Sequence, residues 1–141
     1  MHETPHREVM QCLIRLIRIY RKYPCLYTDS KDPSAFEWVN REDSDRSVIS
    51  YIRRRPENYA GALMVVIHFS PFGYEDYSFG APFEGDYRLI FSSCGSPAGT
   101  GYSADIASVP RIKAVNKECD GYPYMLIYDL SPFEAIIIEV D

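Results

Sequence analysis

The chain carries too little positive charge to hold a nucleic acid. Fifteen Lys and Arg stand against 20 Asp and Glu, for a formal net charge of −5, whereas phosphate recognition needs a basic stripe. Long apolar runs are missing as well. The longest, Ala62 to Ile67 and Ala135 to Ile138, fall far short of the ~20 residues that cross a bilayer, so no membrane partner is expected. Met1 to Pro5 offers no hydrophobic signal region, which speaks against secretion. Cysteine is sparse: the four, at 12, 25, 94 and 119, form no C-x-x-C pair and no compact disulfide spacing. Cys12 within a helix and Cys25 just after it suit buried or half-buried thiols, so the expected setting is reducing and cytoplasmic. The three histidines, at 2, 6 and 68, are too scattered for a zinc site, and no metal or cofactor is expected. The loop from Gly95 to Gly101 lacks the lysine and the following helix of a phosphate cradle. It reads instead as a loop facing a neighbouring domain.

What the chain does have is length for one core and an excess of tyrosine. A chain of 141 residues buries roughly 70% of its unfolded surface without staples. Its 12 tyrosines suit half-buried strand surfaces better than a sugar-stacking platform. Tyr87, Tyr102, Tyr122 and Tyr124 would serve the second role if exposed together.

Thr4-Pro5 gives a hydroxyl N-cap and a proline at the first helical position. The helical period predicted from there runs to Tyr23, and Pro24 closes it. Val9, Leu13, Leu16, Ile17 and Tyr20 share one apolar face, widened by Met10, Cys12, Ile14 and Ile19. Arg7, Gln11, Arg15, Arg18 and Lys22 are expected on the wet side. The apolar arc covers more than half of the helix, wider than the ~100° stripe of a surface helix, so cover is expected from two directions. Cys25 to Lys31 is a link with a foothold at Leu26 and Tyr27.

Asp32-Pro33-Ser34-Ala35-Phe36-Glu37-Trp38-Val39 marks the change of period. Pro33 ends what precedes it. Phe36 and Trp38 then share one face of an extended segment, with Glu37 and Val39 on the other. Asn40 to Asp45 reads as a polar turn cluster. Strands follow at Ser47 to Arg54, at Ala62 to Phe69 (the buried central strand), at Tyr74 to Gly80, and at Asp86 to Ser92. Further strands are expected at Val109 to Val115, Tyr124 to Tyr128 and Ala135 to Val140. About eight short strands with Gly/Pro turns predict a mainly β protein: an antiparallel β-sandwich of Greek-key type with one N-terminal α-helix. The expected division is 1–31 for the helix and link and 32–141 for the sandwich.

Several blocks resemble the C-terminal part of bacterial 1,4-α-glucan (glycogen) branching enzymes of the α-amylase superfamily. Leu13 to Arg21, with Tyr23-Pro24-Cys25-Leu26 behind it, is similar to the last helix of that family's catalytic barrel. Asp32-Pro33-Ser34-Ala35-Phe36-Glu37-Trp38 is the most specific block and resembles the entry to the C-terminal β-domain. Val65 to Pro71, Tyr77 to Pro82, Gly85 to Arg88 and Leu130 to Ala135 agree in order and spacing. His68 departs from the family's usual asparagine, and the helix lacks the usual asparagine near Arg18.

The resemblance implies a fragment whose catalytic carboxylates lie elsewhere, in a (β/α)8 barrel that this domain would brace. No catalytic residue is expected here. The interface would be built from Leu13, Leu16, Ile17 and Tyr20, with Phe36 and Trp38 as anchors between helix and sandwich. A helix face shaped for the barrel would self-associate when bare. Glu37 is the most tempting acid, but it is expected to face away from the aromatics and meet an arginine or the barrel. His68, between Ile67 and Phe69, reads as a satisfied sheet histidine. Two alternatives remain: an independent α-glucan-binding module with contacts at Tyr122 and Tyr124, or the C-terminal domain of a related amylase or debranching enzyme.

Overall fold

A computed structural model describes residues 4–27, 31–56, 58–93 and 111–140. Helix α1 spans Thr4–Lys22. Single turns of 3-10 helix follow at Pro24–Leu26 and Pro33–Ala35. Both have proline in the first turn, where its missing N–H costs nothing. At the second, Asp32 caps the turn by accepting from the Ser34 backbone N–H at 2.9 Å. Eight strands are present among the described residues: β1 Phe36–Asp43, β2 Val48–Arg55, β3 Asn58–His68, β4 Tyr74–Ala81, β5 Asp86–Ser92, β6 Arg111–Lys113, β7 Tyr124–Leu130 and β8 Ala135–Glu139. The segment Cys94 to Gly101 and Tyr102 lie outside the described residues.

All strand pairs are antiparallel, in a six-stranded sheet ordered β1-β2-β3-β8-β5-β6 and a two-stranded sheet of β4 and β7. The chain leaves the large sheet after β3 and returns for β5. It then inserts β8 between β3 and β5 after β7, the long return of a Greek key. Alternate residues face the second sheet: Val48 and Ile52, then Ala62, Met64 and Val66, then Ile136 and Ile138. They meet Tyr77, Phe79 and Leu126 in the main core. A period of two with one face buried fixes register, because a one-residue slip would turn every apolar side chain outward.

Two expectations change. Strand β1 runs on through Asn40 to Asp43, which had read as a turn. Bulges between Trp38 and Asn40 and between Asn40 and Asp43 let these polar residues follow β2 while the strand bends. The link's foothold is Tyr23 and Cys25, both buried against Leu63, with the expected Leu26 packed beside them, while the expected Tyr27 is exposed.

The second sheet is tied to the edge strand β1 by polar contacts. The Tyr77 hydroxyl donates to Asp43 at 2.7 Å. Asp120 accepts from the Gly80 backbone N–H and the Asn40 amide, each at 3.0 Å. Gly80 is required there: a Cβ would stand 2.5 Å from the Cys119 carbonyl oxygen and 2.8 Å from the Tyr122 ring.

Candidate functional site

The outer face of the six-stranded sheet is where the domain is least complete. Its β8 and β5 half carries α1. Tyr23, at the helix end, buries its ring beside Cys25 and Leu63, with Ile19, Ile90 and Ile137 packed around them. The Tyr23 hydroxyl donates to Glu139 at 2.6 Å, and Arg88 Nε donates to the same carboxylate at 2.7 Å. Burial first, then that hydrogen bond to Glu139, push the Tyr23 phenol well above its ordinary range. Arg53 holds the link by donating to the Cys25 carbonyl at 3.1 Å.

Arg15 does not lie on the wet side, as the helical pattern suggested. It is 7% exposed, with its guanidinium 5.0 Å from the centre of the Phe91 ring. A guanidinium is weakly hydrated and stacks on aromatic faces, so it can serve beside Ile19 as an inward contact of a helix most of whose apolar residues point elsewhere. They point outward: Leu13 is 50% exposed and Tyr20 51%, with Val9, Met10, Leu16 and Ile17 beside them. The predicted interface residues Leu13, Leu16, Ile17 and Tyr20 thus form one face that the domain itself leaves open.

On the β1 and β2 half, Phe36 stacks on Tyr51 with centroids 4.9 Å apart and meets Trp38 edge-on at 5.0 Å. Phe36 and Trp38 therefore cluster with Tyr51 on the sheet. Trp38 is 41% exposed, so its ring is not the fully buried anchor that the pattern suggested. Arg41 lies over it at 5.9 Å. A shallow depression of about 510 Å³ opens beside it, lined by Trp38, Asn40, Arg41, Arg46 and Asp120 among others.

Glu37 points the other way, as strand alternation requires. It accepts from Arg54 Nε at 3.0 Å, from the Tyr59 hydroxyl at 2.9 Å, and from the Tyr122 hydroxyl. Burial, then this bond to Glu37, raise the Tyr122 phenol above its ordinary range. Tyr122 and Tyr124 are partly buried against the main core, and Tyr87 is buried with its hydroxyl donating to the Phe83 carbonyl at 2.8 Å. These three do not form a common exposed platform. His68 is buried, and its Nδ1–H donates to the Ser131 carbonyl at 2.8 Å, but its Nε2 is buried without a hydrogen-bond partner, so it is not the fully satisfied histidine expected. Glu134, 2% exposed, accepts from Ser92, Tyr128 and the Ser131 N–H. The deep carboxylates thus serve to hold strands together.

Sequence reasoning missed Tyr23, Arg15 and Tyr51. Tyr51 was within reach, since it alternates outward on β2 opposite Trp38. Among the described residues, no group of three His, Cys, Asp or Glu side chains comes together to hold a metal ion, and no helix is long and apolar enough to cross a membrane.

Residues 38–141 match the family described as alpha amylase, C-terminal all-beta domain. The chain is also similar to 1,4-alpha-glucan branching enzymes GlgB. Identity is 38% over 122 residues with that of Butyrivibrio fibrisolvens, covering 86% of this chain and 18% of the relative. It is 31% over 135 residues with that of Prochlorococcus marinus (strain AS9601), covering 96% and 17%. It is 31% over 136 residues with that of Synechococcus elongatus, again covering 96% and 17%. The chain thus spans less than a fifth of the length of these relatives.

Proposed function

Because the chain belongs to the alpha-amylase C-terminal all-β domain family, we propose that it is the non-catalytic β-domain of a 1,4-α-glucan branching enzyme. In this reading it braces the catalytic barrel of the same protein in the cytoplasm. Residues 1–31 are the barrel's last helix and link, and 32–141 the bracing sandwich. The observation that carries this is the outward apolar face of α1. The helix is clamped to the sandwich by Tyr23 and Arg15, yet Leu13, Leu16, Ile17 and Tyr20 are left open to a neighbour. Exposed patches of this kind mark interaction sites. Phe36 and Trp38 extend the same surface onto the sheet.

The parent reaction breaks an α-1,4 linkage, holds a glycosyl-enzyme intermediate and delivers it to a 6-hydroxyl. A retaining transfer uses two carboxyl groups ~5–5.5 Å apart across the bond. In this domain Glu37, Glu134 and Glu139 are engaged in strand-to-strand contacts. Incubation of the 141-residue protein with amylose is expected to give no new α-1,6 branches on debranching analysis. Their appearance would sink the non-catalytic reading.

A second reading, an α-glucan-binding module, is favoured by one observation, the half-exposed Trp38 beside the depression with Asn40 and Arg41. An indole face flanked by hydrogen-bonding side chains suits a sugar ring. Retention on glycogen in affinity electrophoresis, lost with Trp38→Ala and kept with Tyr124→Ala, would support it.

A further inference from the structure

The turn that ends in Tyr122 is tightly built. Cys119 and Tyr122 exchange backbone hydrogen bonds, the Cys119 N–H donating at 3.0 Å and the Tyr122 N–H at 2.8 Å. Between them Asp120 and Gly121 have φ of +52° and +83°. Positive φ at both central residues is the mark of a type I′ turn, and Asp-Gly is a pair that adopts it readily. The turn presses on Gly80 closely enough to leave no room for a Cβ. It therefore keeps one shape and one place on the second sheet.

From that place it reaches both flanks of Trp38. The Tyr122 hydroxyl donates to Glu37, the residue before Trp38. Asp120 accepts from the side-chain amide of Asn40, two residues after it. Strand β1 has use for such ties. It is an edge strand with β2 as its ladder partner, and its register slips directly after Trp38. A slip of this kind leaves a residue unpaired and bends the strand. On the outer face the Trp38 ring meets Phe36 and Tyr51 edge-on, at 5.0 and 6.1 Å. These contacts steady the ring but not the bulged strand beneath it.

Resting on the α-glucan reading of Trp38, we infer that the turn Cys119–Tyr122 is the positioning element of that site, with Tyr122 and Asp120 acting on the indole through Glu37 and Asn40. Tyr122 meets Glu37 on the inner side of β1, whereas Trp38 presents its ring on the outer side. Its hydroxyl therefore bears on a sugar through the strand and not by contact. Asp120 lines the depression, but each of its oxygens already accepts a hydrogen bond, one from Asn40 and one from Gly80. A ring fixed in advance gives up little freedom when a sugar stacks on it, and a loosely held one must be ordered at the expense of affinity.

Trp38 is the single tryptophan of the chain, so its fluorescence reads the platform directly. Affinity electrophoresis of the 141-residue protein in glycogen gels gives a dissociation constant, and urea midpoints check that each variant is folded. Tyr122→Phe should weaken binding by about 2- to 10-fold, the cost of ordering one side chain on binding, and should increase acrylamide quenching of Trp38. Asp120→Ala should do the same from the other flank, and serves as the test if Tyr122→Phe does not fold. Tyr23→Phe removes a hydroxyl-to-carboxylate bond of the same kind beneath α1 and should alter neither quantity. Weaker binding by Tyr122→Phe with unchanged quenching would make Tyr122 a direct sugar contact. Unchanged binding by both turn variants would show that the turn positions nothing. Either result overturns the inference and leaves the glucan reading standing. If the unmodified chain is not retained by glycogen, or Trp38→Ala is retained equally well, the glucan reading falls and the inference with it.

Discussion

Glu37 and Trp38 are adjacent and have opposite fates, because a strand sends neighbours to opposite faces. Glu37 turns inward and gathers Arg54, Tyr59 and Tyr122. Trp38 stays at the surface with part of its ring in water. Full burial of that ring would make Trp38→Ala cost ~3–5 kcal/mol. At 41% exposure the expected loss is about 1–2 kcal/mol by urea denaturation, below that of Leu63→Ala. The tyrosines predict an alkaline limit. Tyr23, Tyr77 and Tyr122 are all raised above the ordinary value of 10.0, each by burial first and then by a carboxylate partner. A raised pKa in the folded state means that the fold holds protons the unfolded chain releases. The stability is therefore fully present below pH 10 and lost as pH climbs beyond it. Cys119, pushed from 9.0 up to about 11 by burial, starts that loss a little earlier. Urea midpoints measured from pH 8 upward should fall above pH 9–10, and Tyr122→Phe should flatten the fall.

Among the elements, α1 and the turn around Asp120 behave differently under substitution. Leu16→Asp changes an outward residue, so the isolated domain should keep its stability within about 0.5 kcal/mol. The unmodified chain should self-associate through this face, and light scattering after size exclusion should show a lower mass for Leu16→Asp. Equal masses for the two proteins would show that the face does not associate. Gly80→Ala is the opposite case. Its Cβ would meet the Cys119 carbonyl and the Tyr122 ring, neither of which is a flexible end. The turn must lift, loosening the Asp120 bonds to Gly80 and Asn40. A loss of about 1–3 kcal/mol is expected, together with weakened Tyr122 contact to Glu37.

For the molecule as a whole, the period of the apolar residues was enough to locate the helix and nearly every strand, and β1 begins within the Asp32 to Trp38 block, where the period changes. The faces of α1 were legible, but which of them the domain keeps was not. Periodicity finds an arc without saying what lies opposite it, so Arg15 looked wet. Strand order was equally hidden, since β8 enters between β3 and β5 through contacts remote along the chain. β1 looked shorter than it is because Asn40 to Asp43 have the composition of a turn, and only pairing with β2 makes them a strand. Stability should follow the same map. In native-state hydrogen exchange the amides of β3 and β8, paired on both sides, should open only with global unfolding. Those of α1, held by one line of residues, should exchange through cheaper local opening. Equal protection of α1 and β3 would contradict this.

The placement of β8 has a consequence for synthesis. The ribosome makes β1, β2 and β3 first and β5 and β6 later, yet these two groups share no strand pairing until Ala135 to Glu139 slides between them. Until then β3 and β5 each present an open edge, the template on which foreign strands add. Domains fold as units as they emerge, so the six-stranded sheet must wait for β8. From the synthesis of β5 until β8 is made, the nascent chain therefore carries both edges uncovered.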